Sequence, residues 1–78
     1  MPIEINLDRW ERTGSDSVGA GHSHREVVEQ YGVEYDATKH EIDEGESDLR
    51  REDGTRTVIK TSTEDGTHAV DHYRRRDP

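Results

Sequence analysis

The chain has 78 residues, with 19 acidic and 11 basic side chains and a formal net charge of −8. Residues 1–78 make one domain, and a domain this small buries only a modest share of its surface and is marginal without help. Cysteine is absent, which excludes disulfides, thiolate ligands and a cysteine nucleophile, and no apolar run approaches the ~20 residues of a membrane-spanning helix.

Leu, Ile, Val and Phe supply 12 of the 78 residues. That share lies below the roughly 20% at which a highly charged chain usually fails to fold. The punctuation of turns and strands argues for a folded domain all the same. Nine of the eleven basic residues are arginine and two are lysine, Lys39 and Lys60. Over the whole length this composition resembles that of proteins from salt-accumulating halophilic archaea, where screening weakens self-repulsion and excluded salt strengthens apolar burial. Dimerisation is the other expected source of stability for so thin a core. Met1-Pro2-Ile3-Glu4 lacks the basic start and apolar centre of a secretion signal, so a cytoplasmic location without membrane contact is expected.

Ile3, Ile5 and Leu7 alternate with Glu4, Asn6 and Asp8, the period of a half-buried strand, which predicts a strand over residues 2–12. Residues 13–22 are small, polar and glycine-rich and read as a flexible loop. They lack the Gly-Lys-Ser/Thr ending of a phosphate-binding loop. A short helix is predicted near residues 23–31. Ser23 and Glu26 have capping-box spacing, Val27, Val28 and Tyr31 share a face, and Gly32 suits the position just past the end. Val33, Tyr35 and Ala37 alternate as in a short strand. The stretch from Asp36 to Asp48, rich in acids, reads as a solvated face, with His40-Glu41-Ile42 as a strand and Glu44-Gly45 as a turn.

Glu52-Asp53-Gly54-Thr55 and Glu64-Asp65-Gly66-Thr67 repeat one turn signature between β-rich runs. Two-residue loops centred on each Gly would set Leu49 opposite Val58, Val58 opposite Tyr73, Lys60 opposite Asp71 and Arg51 opposite Arg56. An apolar row of His40, Leu49, Val58 and Tyr73, with Ile42 beside it, would then lie under the helix. Ile59, Val70, Thr61, Thr63, His68 and His72 would form a half-polar face open to solvent or a second subunit. The expected fold is α+β: a small antiparallel β-meander of three to five strands with one short helix, and a frayed tail over residues 76–78.

For function, the sequence favours a non-enzymatic interaction module, a homodimer or a binder of another protein, with no cofactor. Nothing marks a nucleophile, and the carboxylates are too many for one acid–base pair to stand out. A second reading is a nucleic-acid or anionic-ligand site on an arginine row: Arg51, Arg56 and Arg75 brought side by side, with Tyr73, Arg74 and Arg76 adjoining. The ordinary alternative is a solvated tail paired with Asp71 and Asp77. A third reading is a metal site from His22, His24 and His72, among five histidines in all. His22-x-His24 with Glu29 further on resembles the first metal motif of cupins. The flanking glycines and a second motif are missing, and the chain is short for that barrel.

Overall fold

The computed structural model describes residues 3–35, 38–43 and 45–76; for residues 33–35 and 38–43 it describes the backbone alone. The elements are β1 (Trp10–Val18), α1 (His24–Tyr35), β2 (Thr38–Asp43), β3 (Glu46–Arg50), β4 (Thr55–Thr61) and β5 (His68–Arg75). The strands form one antiparallel sheet in the order β1-β5-β4-β3-β2. β2 to β5 are successive hairpins, β1 adds to the free side of β5, and α1 crosses between the two edges. This is the α+β meander with one helix that the turn signals predict.

The two Asp-Gly loops are longer than two residues, and this decides the faces. Arg51 N–H donates to Thr55 O at 3.1 Å and Arg50 pairs with Arg56, which leaves Glu52, Asp53 and Gly54 as an odd, three-residue loop. Thr61 pairs with His68, and Ser62 N–H donates to Thr67 O at 2.8 Å, which leaves the even loop 63–66. In both loops the glycine takes the left-handed conformation, with φ 88° at Gly54 and 75° at Gly66. In both, the preceding aspartate accepts from the threonine after it, through N–H and hydroxyl alike.

The even loop slides β5 by two positions and keeps its faces as predicted. Lys60 now lies opposite Ala69 rather than Asp71, and ion-pairs with Glu46 at 3.8 Å. The odd loop turns β3 over, because a one-residue slip moves every side chain to the other face. Leu49 therefore joins Ile59 and Val70, not Val58 and Tyr73, and the expected row of His40, Leu49, Val58 and Tyr73 does not form. In the third hairpin Asp43 pairs with Glu46 across Glu44-Gly45, but a bulge between Glu41 and Asp43 brings Lys39 opposite Leu49. The side chains of His40 and Ile42 lie outside the described residues.

The central strand β4 is buried on both faces. On one, Leu49, Ile59 and Val70 are 0% exposed and pack under Val27, Val28 and Tyr31 of α1, with Val18 at the margin. The half-polar face expected to meet solvent or a second subunit is thus the one the helix covers. On the other face, Val58 and Tyr73 are covered by Ile3, Ile5 and Trp10.

The N-terminal stretch does this without being a strand. Asn6 Oδ1 accepts from Asp8 N–H, and Asn6 O accepts from Arg9 and Trp10, which bends the chain and delays β1 to Trp10. Residues 13–18, expected in a loop, continue β1. Pairing with β5 outweighs their weak strand propensity, and a bulge between Arg12 and Gly14 absorbs the irregularity. The Ser23–Glu26 capping box forms in both directions, at 3.0 and 3.2 Å. The helix runs through Gly32 to Tyr35, so Gly32 is interior, and Val33 and Tyr35 are helical rather than extended. Ala37 lies outside the described residues. So do Asp77 and Pro78 of the expected tail, while Arg76 is held: its Nε donates to Leu7 O at 2.8 Å and its N–H to Arg9 O at 2.9 Å.

Candidate functional site

Three chain segments meet at one end of the sheet: the β3–β4 loop, the last residues of β5 and the bend that leads into β1. Arg75 N–H donates to Gly54 O at 3.2 Å, and Arg75 pairs with Trp10, so the three are locked together. Between them lies a hollow of about 420 Å³ lined by Arg9, Trp10, Arg50, Arg51, Arg56 and Arg75, with Glu52, Gly54 and Thr55 completing it. Five of the nine arginines of a chain of net charge −8 thus surround a single concavity.

The arginines are not equivalent. Arg56 is held by Asp48, which accepts from its Nε and Nη2 at 2.7 Å each. Asp48 is 1% exposed and Arg56 is 6% exposed, so this is a buried, two-pronged ion pair. The Arg56 guanidinium lies over the Trp10 ring, 5.1 Å from its centroid, in cation–π contact. Arg51 lies along the helix-side edge of the turn and donates to Thr55 Oγ1 at 2.9 Å and to Thr57 Oγ1 at 2.6 Å. Arg50 contributes only its Nε to Asp48, at 3.1 Å, and its side chain is half exposed. Arg9 and Arg75 make no side-chain hydrogen bond or ion pair among the described residues. The hollow therefore has a fixed floor, Arg56 stacked on Trp10, and three arginines with donors to offer around it.

The sequence places only part of this. Arg51, Arg56 and Arg75 do converge, although the odd loop puts Arg50, not Arg51, opposite Arg56. Tyr73 is not in the hollow: it is buried beside Val58, and its hydroxyl accepts from Arg12 Nη2 at 3.4 Å. Arg74 pairs with Glu11 at 3.0 Å on the opposite face, and Arg76 anchors the N-terminal bend. Arg9, Trp10 and Arg50 are the residues the sequence reading missed. The Asx turn at Asn6, which starts β1 at Trp10, is the signal that brings Arg9 and Trp10 next to the last residues of β5.

The histidines serve a different purpose. His68 Nε2 lies 2.7 Å from His22 O, a carbonyl that only accepts, so His68 donates there. With neutral rings the remaining directions follow. Thr61 donates to His68 Nδ1 at 2.6 Å, His24 Nδ1 donates to Thr61 Oγ1 at 2.7 Å, and Ser47 donates to His24 Nε2 at 2.8 Å. The chain runs from β3 through α1 and β4 to β5 and ties the start of the helix to the sheet. His72 makes a second short chain: its Nε2 donates to Asp16 Oδ2 at 3.4 Å, and its Nδ1 accepts from Thr57 at 3.0 Å. His22, His24 and His72 are therefore not gathered as ligands, because the rings of His24 and His72 are engaged in separate hydrogen-bond chains. Among the described residues no group of three or more His, Asp or Glu side chains is placed to hold a metal ion.

No protein-family model matches the chain, and no curated protein or solved structure matches it.

Proposed function

We propose that the protein is a non-enzymatic binding module that holds an anionic group in the arginine hollow. The observation that carries this reading is the gathering of Arg9, Arg50, Arg51, Arg56 and Arg75 around one concavity in an otherwise acidic chain. Arginine offers several N–H donors in a planar fork suited to phosphate and carboxylate oxygens. Clustering guanidinium groups without enough local acids costs electrostatic energy, and a bound anion removes that cost. Asp48 neutralises the floor from behind, and among the described residues Glu52 is the one carboxylate that lines the hollow.

α1 covers the Ile59–Val70 face, so a homodimer, which the thin core still favours, would have to use another surface. The acid excess fits a protein adapted to molar salt, and a cytoplasmic location belongs to the same reading. Trp10 is the sole tryptophan, so its fluorescence reports on the hollow directly. Titration with pyrophosphate at physiological salt should change that emission to saturation. Arg75→Ala should weaken binding about tenfold, the worth of one charge-assisted contact. An unchanged emission together with no heat in calorimetry would remove the proposal.

A further inference from the structure

We infer that the ligand of the hollow is a mononucleotide, a phosphorylated compound that also carries a flat aromatic base. This rests on the anion-binding reading and narrows it. Three features support it. The first is size: at about 420 Å³ the hollow falls in the range of roughly 300–1,000 Å³ used for small organic ligands, and a lone phosphate leaves most of it unfilled.

The second is the floor. Trp10 is only half-buried, and Arg56, held by Asp48 along its Nε and Nη2 edge, fixes the ring from one side. A pre-set indole and guanidinium plate is a surface on which a base stacks, since bases stack on aromatic rings and on arginine planes alike. Arg56 is 6% exposed and already neutralised by Asp48, so it serves a phosphate less well than the exposed arginines do. That duty falls to Arg9, Arg50 and Arg75.

The third is Glu52. A carboxylate beside the arginines weakens the site for a bare anion. It is an acceptor for a sugar hydroxyl or an exocyclic amine, groups that a nucleotide has and pyrophosphate lacks. A nucleic-acid strand fits less well. Its phosphates beyond the hollow would meet the rest of a chain of net charge −8, where acids outnumber bases still further, and salt weakens that repulsion without turning it into attraction.

The test is calorimetric titration of the full chain with pyrophosphate, a nucleoside diphosphate and a short single-stranded oligonucleotide. The nucleoside diphosphate should bind about tenfold more tightly than pyrophosphate, the scale of one stacked base. Trp10→Leu should erase that advantage, weakening the nucleoside diphosphate by about tenfold more than it weakens pyrophosphate. Glu52→Gln, an exposed change that leaves the fold intact, should strengthen pyrophosphate binding and narrow the gap as well. It carries the test if Trp10→Leu fails to fold by circular dichroism. Equal affinity for the two diphosphates would overturn the nucleotide and leave the anion site standing. No binding of either would overturn both. An oligonucleotide that binds more tightly than the nucleoside diphosphate, with a steeper salt dependence, would overturn the mononucleotide in favour of a strand.

Discussion

Asp48 is 1% exposed and accepts from Arg56 twice and from Arg50 once, so one carboxylate fixes the floor of the hollow and one of its walls. Breaking a buried pair leaves a charge without a counterion or water, which typically costs about 3–5 kcal/mol. Asp48→Ala is expected to lose about that much in urea unfolding. Arg50→Ala should lose only about 0–1 kcal/mol, because Arg50 is half exposed and its partner keeps Arg56. Equal losses for the two would contradict the assignment of Arg56 as the structural arginine. From sequence, Asp48 belongs to an acidic run and reads as solvated. Its burial follows from the reversed β3 register, which a charge count does not reveal.

At the scale of elements, the turn positions were legible and the turn lengths were not. Asp-Gly marks where the chain reverses, but a loop of two, three or four residues can carry the same Glu-Asp-Gly-Thr signature. Here it carries three residues in one hairpin and four in the next. That single residue of difference sends Leu49 to the helix side and Arg50 to the hollow. The capping box at Ser23 and Glu26 was legible because it is local chemistry. The far end of the helix was not, because Gly32 is tolerated inside it. Two substitutions distinguish these glycines by sign. Gly32→Ala should stabilise by up to about 1 kcal/mol, since the helix interior favours alanine and a new Cβ meets nothing within 4 Å. Gly54→Ala should destabilise by about 1–2 kcal/mol, the cost of a left-handed L-residue, and lower the melting temperature by several degrees. A destabilised Gly32→Ala protein would place the helix end at Gly32 after all. β1 shows the opposite limit. Its glycine- and serine-rich half has no strand signal of its own, and only β5 makes it a strand.

Over the whole molecule, charge couples the fold to pH. Glu26 is held below the ordinary carboxylate range by the Ser23 backbone N–H and then its hydroxyl. Asp53 is lowered by the Thr55 hydroxyl and then its N–H, and Asp65 by the same groups of Thr67. A carboxylate with a lowered native pKa binds fewer protons in the folded state. Its contribution is present above the ordinary carboxylate range and is lost as pH falls through the lowered native values. Stability should therefore drop at acid pH. Replacing Glu26, Asp53 and Asp65 together by alanine should flatten that limb, and an unaltered acid limb would show that these caps are not linked to folding. Potassium chloride should raise stability near neutral pH by screening the net charge of −8. The fold class was legible because strands and turns alternate along the whole chain. The hollow was legible only at Arg51, Arg56 and Arg75, because Arg9 and Trp10 lie far away in sequence and reach it only when β1 joins β5.

The most direct test of the arginine hollow is nitrogen–proton NMR of the arginine side-chain Nε groups as pyrophosphate is added. Arg9, Arg50 and Arg75 are expected to shift together and saturate, while Arg12, Arg25 and Arg74, which lie outside the hollow, stay in place. Shifts spread evenly over all the exposed arginines, or strongest at Arg25 and Arg74, would contradict it.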